Sequence, residues 1–319
     1  MADRVNLVNI EKAAKLIDPV FRNTPQFTDE TLSAALGRRV LVKIETVNPV
    51  RSFKGRGADF LVRSLDPEQK IVCASAGNFG QAMAYAGRKR DISVEVFVSE
   101  DVNPMKAERI ASFGAKVTRA GADFEEAKNH ARVHAFEHPE CVFVEDGEDE
   151  AITEGAGTIG MELLEAGSID TVVLPLGDGA LITGVASWIK EQSPATRMVG
   201  VCASGAPAMV ESWKKGSVIA TESTDTIADG IAVRVPIAKA VDRIQKLVDE
   251  IVLVDDTSLI ETMQLTASVL GLLLEPAGAA GLAAIRAHEL PGDRLATVLT
   301  GSNVHPKLLP QILKFVKER

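Results

Sequence analysis

Nine short runs of β-branched and apolar residues recur along the chain, with helix-patterned stretches between most of them; they span 40–44, 71–75, 94–98, 116–118, 142–144, 172–176, 198–202, 251–254 and 296–300. This alternation is the signature of an α/β fold. Many runs are apolar on successive residues, the pattern of strands covered on both faces, so mostly parallel sheets are expected. Nine strands exceed the ~5–6 of an average sheet, and 319 residues at about 150 per domain likewise point to two lobes. We expect a small lobe over 67–152 and a large lobe from 1–66 plus 153–319, each an open, mostly parallel sheet flanked by helices. No C-terminal regulatory domain is expected after about residue 316.

Punctuation supports the pattern. Asn103-Pro104 is an N-cap followed by Pro at the first helical position, and Gly114 stops that helix, which makes 99–114 a short crossover. Between Ser204 and Pro236 the periodicity fades into Gly, Ser, Thr and Pro, which predicts a long surface excursion that touches a ligand or a partner subunit. Lys and Arg total 35 against 44 acids, a formal charge of −9, with no basic block to track a phosphate backbone, so nucleic acid is not an expected partner. No stretch approaches the ~20 apolar residues of a membrane span, and Met1 to Lys12 lacks a leader pattern; a cytoplasmic protein is expected. Cys73, Cys141 and Cys202 each sit in an apolar run without CxxC spacing, as buried reduced thiols do. Aromatics at 4% supply little for base stacking or a sugar platform.

Four segments carry chemistry. In 48–58, Lys54 stands between a Pro-containing turn and a helix start built of Gly55, Gly57 and Ala58, where bulky groups can approach the backbone. Set beside Arg51 and Arg56, its amine is expected to be destabilised as a cation, the state Schiff-base chemistry needs; the bland alternative is a basic loop. In 74–82, a strand, a Gly/Asn turn and an alanine-rich helix start present free amides to an anion such as a carboxylate; the alternative is an ordinary βα turn. In 174–184, Gly177, Gly179 and Gly184 can cradle a phosphate on amides alone, with Asp178 expected to turn its carboxylate outward. At 298–303, Thr300 follows the last strand at the edge where open α/β sheets hold ligands, and its hydroxyl can face a ring nitrogen without fixing a charge on it. Glu275-Pro-Ala-Gly278 adds a carboxylate before a small-residue helix.

Together these segments resemble the pyridoxal-phosphate enzymes of fold type II, and within them the threonine and serine dehydratase branch. The pattern S-F-K-x-R-G-A matches Ser52 to Ala58, S-A-G-N matches Ser75 to Asn78 and E-P-A-G-A matches Glu275 to Ala279; Arg22-Asn-Thr-Pro25, Gly155-Ala-Gly-Thr158 and Thr226-Ile-Ala-Asp-Gly230 agree as well. The resemblance spans about residues 10 to 310 in order. It implies that Lys54, beside Phe53, carries pyridoxal 5'-phosphate and then acts as general base. It implies that Ser75, Ala76, Gly77, Asn78, Phe79 and Gln81 hold the substrate carboxylate, with Asn78 also reaching the ring hydroxyl. Gly177, Asp178, Gly179, Ala180 and Leu181 would cradle the phosphate and Thr300 would face the ring nitrogen.

The activity so implied is an ammonia-lyase or dehydratase reaction on a small β-hydroxy amino acid, L-threonine, L-serine or a hydroxyaspartate, giving a keto acid and ammonia, in a homodimer without a metal. A racemase is the rival, but relatives of that kind place a serine where this chain has Ala76. A threonine-synthase-like replacement is kept open by Thr300, and a non-catalytic binding protein by Asp178. The family's phosphate loop is usually four glycines and a leucine, whereas Asp178 and Ala180 replace two here. Phe79 stands where dehydratases often have His, and Thr300 where they often have Ser or Cys.

Two other patterns mislead. Gly155-Ala-Gly-Thr-Ile-Gly160 satisfies G-x-G-x-x-G, yet it starts eleven residues after the preceding strand run, out of place for a dinucleotide loop. His130, His134 and His138 could share a helical stripe, which we place at the solvated edge of an alanine face rather than on a metal.

Overall fold

In a computed structural model, which describes residues 5–314, ten strands form two sheets. The larger has the order β1-β2-β10-β7-β8-β9 and the smaller β5-β4-β3-β6. The strands are β1 (Gln26–Thr28), β2 (Arg39–Ile44), β3 (Lys70–Ala74), β4 (Val94–Val98), β5 (Lys116–Arg119), β6 (Cys141–Phe143), β7 (Thr171–Pro175), β8 (Arg197–Ala203), β9 (Glu250–Val254) and β10 (Arg294–Leu299). Every pairing is parallel except β1 with β2. Successive Val172, Val173 and Leu174 of β7 are all fully buried, as a strand sandwiched between helix layers requires. β1 escaped the sequence reading because a three-residue antiparallel edge strand, two of whose residues are exposed, carries no apolar run.

Helix α7 (Glu150–Glu165) lies against both α3 (Lys54–Val62) and α8 (Ala180–Gln192) through glycines. A Cβ on Gly155 would sit 2.6 Å from the Gly57 Cα, and one on Gly184 would sit 2.2 Å from the Thr153 carbonyl oxygen. The G-x-G-x-x-G pattern is therefore the contact stripe of a buried helix. It sets how closely the helix that starts at Lys54 approaches the helix that starts at Ala180.

Two expectations need correction. The segment 204–236 is not irregular throughout, because α9 (Ala208–Lys215) occupies part of it. Its Ser212 hydroxyl accepts from the Ile219 amide at 2.8 Å and ties the following turn back to the helix. Cys73 and Cys202 are buried, and burial pushes both thiols up to about 12, but Cys141 is only half-buried because β6 is an edge strand. The expectation about a further domain after residue 316 lies outside the described residues.

His134 and His138 stack at 4.2 Å between ring centroids, half-buried, beside the buried Ala127 and Ala131, and His130 is exposed. Among the described residues no helix is long and apolar enough to cross a membrane, and no His, Cys, Asp and Glu group has the arrangement of a metal site.

Candidate active site

The carboxyl ends of β3, β7 and β10 converge on one cavity of about 930 Å³. Ser75 follows β3, Gly177 follows β7 by two residues and Thr300 follows β10, so both sheets contribute. Lys54 opens α3 and is drawn to the same place by the pairing of Ser52 with Gly301 and by the Phe53 amide, which donates to the Thr300 carbonyl at 3.0 Å. The Lys54 ammonium lies 4.6 Å from the centre of the Phe53 ring and bonds the Asp146 carboxylate.

That ion pair changes the neighbours expected for Lys54. An anion, not the two arginines, touches the amine, because Arg56 turns into the core. There it is fully buried, its guanidinium forked onto Glu45 at 2.8 and 2.9 Å and onto Glu162 at 2.6 and 2.8 Å, with Thr158 accepting at 2.9 Å. Lys43 joins Glu162 at 2.6 Å, and the Thr24 hydroxyl donates to Glu45 at 2.6 Å. Burial alone would raise the Glu162 carboxyl, but Arg56 and Lys43 outweigh it and hold the group at about 2. Three of the sequence patterns, around Thr24, Arg56 and Thr158, thus meet in one buried charge network behind the lysine.

Two anion cradles face the cavity. At the start of α4 (Asn78–Arg88), no intramolecular acceptor is present among the described residues for the amides of Asn78, Phe79 and Gly80. The Ser75 hydroxyl accepts from the Gly77 amide at 3.1 Å, which leaves its own proton to donate. At the start of α8 the amides of Gly177 through Leu181 are similarly open, and Gly179 turns the chain at a φ of +92°, where a side chain would strain. The buried Thr183 hydroxyl, one turn into α8, has no partner among the described residues. Five amides and an orphan hydroxyl at a helix N-terminus fit a phosphate group.

Asp178 is half-buried on the cavity wall. Its carboxyl lies in the field of Asp146, Lys54 and Lys128, and burial, then the Asp146 charge, push it up to about 7. A proton on this group removes the repulsion that an ionised Asp178 would exert on a phosphate.

Asn78 is held by residues from the other sheet. Its Nδ2 donates to Glu275 Oε1 at 2.5 Å, its Oδ1 accepts from Asn303 Nδ2 at 2.7 Å, and the Asn303 amide donates to Glu275 Oε2 at 3.0 Å. Burial and then the Asp229 charge push Glu275 up to about 7. Thr300 is buried at 4% exposure and its hydroxyl bonds no protein group among the described residues, leaving it open to a ligand. Ala76, Gly77, Phe79, Gln81, Ala180 and Leu181 also line the cavity. Sequence reading gave no role to Asp146, Asn303 or Arg109 on this wall: Asp146 precedes Gly147 in a turn outside the four segments, Asn303 ends the segment read for Thr300, and Arg109 lies on a helix.

An amine, two amide cradles and an uncharged hydroxyl around one cavity define a site for a phosphorylated aldehyde cofactor and an amino acid. In agreement, residues 17–301 match the family of pyridoxal-phosphate dependent enzymes, and the chain belongs to that family. A catabolic L-threonine dehydratase of Staphylococcus aureus (strain N315) is 33% identical over 310 residues, covering 94% of this chain and 89% of that protein. The structure of a threonine deaminase from T.th. superposes with a TM-score of 0.88 at 30% identity, covering 94% of this chain and 99% of the other. Maize serine racemase superposes with a TM-score of 0.90 at 27% identity, covering 100% and 99%.

Proposed function

We propose that this chain removes water from a β-hydroxy amino acid, with a keto acid and ammonia as products. One observation carries the reading: Lys54, the carboxylate cradle after β3 and the phosphate cradle after β7 open onto the same cavity. Pyridoxal phosphate, when bound, supplies an electron sink for charge developing at the substrate Cα. In this reading Lys54 carries it, the amides of 177–181 hold its phosphate, Phe53 flanks it and Thr300 meets its ring nitrogen. A hydroxyl, unlike a carboxylate, does not keep that nitrogen protonated, so the sink is moderate and suits prompt loss of a β-leaving group.

The remaining steps belong to side chains. Ser75 and the amides of Asn78, Phe79 and Gly80 fix the α-carboxylate, and Asn78 is itself fixed by Glu275 and Asn303. The Lys54 amine takes the Cα proton, and Asp146 offers it a resting partner when it is not engaged. Ala76 brings no proton to the opposite face, which favours elimination over racemisation.

We further propose a cytoplasmic homodimer, and lobes dividing at about 67 and 153. Purified protein reconstituted with cofactor, given L-threonine, L-serine and threo-3-hydroxyaspartate, is expected to release keto acid and ammonia in equal amounts. Inversion of configuration faster than ammonia release would overturn the assignment.

A further inference from the structure

Resting on that reading of the reaction, we infer that the substrate bears a second anionic group on its side chain, a carboxylate or a phosphate, received by Arg51 and Arg109.

Both residues line the cavity. Arg109, on α5 (Pro104–Ser112), is half-buried and makes only long bonds to neutral acceptors, 3.4 Å to Gln81 Oε1 and 3.4 Å to the Pro49 carbonyl, with its guanidinium 5.0 Å from the Phe113 ring centre. Arg51 is two residues from Pro49 and exposed. Neither has a carboxylate partner among the described residues. Every other Lys and Arg on this wall does: Lys54 has Asp146, Lys106 has Asp229, and Arg234 has Asp123 at 3.0 Å. Burial and then the Arg51 charge lower the Arg109 guanidinium from its usual value, so the two cations repel one another. Two like charges set together with no carboxylate bonded to either are relieved by an anionic ligand.

The backbone at Arg51 is a second, independent observation. Its φ is +54°, and the only other non-glycine residues with positive φ among those described are Asn23 and Asp91, types that tolerate this region. An arginine gains nothing locally there. The conformation is imposed from outside: the Arg51 amide donates to the Asn48 carbonyl at 3.0 Å and its carbonyl accepts from the Ser302 amide at 3.0 Å. Strain held in place by the surroundings at a binding wall is the usual mark of a functional side chain.

Position matters too. Gln81, which contacts Arg109, belongs to the first turn of α4, the turn whose amides form the carboxylate cradle. Arg109 thus stands beside the carboxylate cradle, on the wall of the same cavity. With 3-hydroxyaspartate, the Cα–H and Cβ–O bonds break, water leaves, and one water taken up in hydrolysis gives oxaloacetate and ammonia. With O-phosphoserine, phosphate is the leaving group and one water is consumed, giving pyruvate, ammonia and phosphate.

The test compares kcat/KM of the holoenzyme for threo-3-hydroxyaspartate, O-phospho-L-serine, L-serine and L-threonine. One anionic substrate is expected to exceed both neutral ones by about 10–100-fold, the range a charge-assisted contact supplies, and which one it is tells carboxylate from phosphate. Arg109→Met and Arg51→Gly are each expected to lower the anionic-to-neutral ratio by about tenfold or more, chiefly through KM. Arg51→Gly also relieves the strained φ, so its melting temperature should equal or exceed that of the parent. In a measurement free of turnover, unreactive L-aspartate should raise the melting temperature more than L-alanine, and Arg109→Met should erase the difference. Neutral substrates matching or beating both anionic ones, or an unchanged ratio in both variants, overturns this inference alone. Failure of all four substrates to release ammonia overturns the reaction on which it rests.

Discussion

Arg56 shows what a single residue contributes to this molecule. Its positive charge is fully buried yet matched by two carboxylates, and taking away one side of such a pair costs about 3–5 kcal/mol because the other side is left bare. Arg56→Met should lose about that much stability in urea unfolding. Glu162 lies below its ordinary 4.5 in the fold, so the stability it contributes is complete above pH 4.5 and is lost as the pH falls towards about 2. Glu162→Gln should flatten the decline of the melting temperature across that window. Asp178 has the opposite sign. Its folded value of about 7 lies above the ordinary 3.8, so its stabilising effect is full below pH 3.8 and vanishes as the pH rises through about 7. Asp178→Asn should therefore melt higher than the parent at pH 8 and match it near pH 4. Neither network was legible in the sequence, because Arg56 meets Glu162 across 106 positions and Asp178 acts with an Asp146 that no motif marks.

Among the elements, strands and cradles were legible while close helix contacts were not. An apolar run announces a covered strand, and a Gly/Asn turn after it announces open amides, since both are local demands on the backbone. All nine runs are strands here, shifted by a residue or two where Ser75 and Thr300 leave the ladder. A helix such as α9, enclosed by turn residues, gives too short a period to stand out. The glycines of α7 look like a nucleotide loop until the partner helix is seen. A methyl at Gly155 would collide with backbone of α3, the helix that begins at Lys54. Gly155→Ala should cost about 1–3 kcal/mol as overpacking, and it should weaken cofactor binding in a spectral titration because α3 must move.

On the scale of the whole molecule, two mostly parallel sheets direct strand ends at a common cavity, and each supplies part of it. The four-stranded sheet brings the carboxylate cradle, and the six-stranded sheet brings the phosphate cradle and Thr300. The order and spacing of those segments made the family readable before any coordinate. The side chains that complete the wall, Asp146, Asn303 and Arg109, come from loops and a helix whose placement only the tertiary fold decides. The assembly makes sense as an enzyme only if the nitrogen of Lys54 is where pyridoxal phosphate attaches. The direct measurement is a titration of the purified protein with pyridoxal phosphate, followed in the visible spectrum and by mass after borohydride reduction. A saturable visible band with a reduced adduct on the peptide containing Lys54, both lost in Lys54→Ala, is the predicted result. An adduct elsewhere, or a band that survives the substitution, would contradict it.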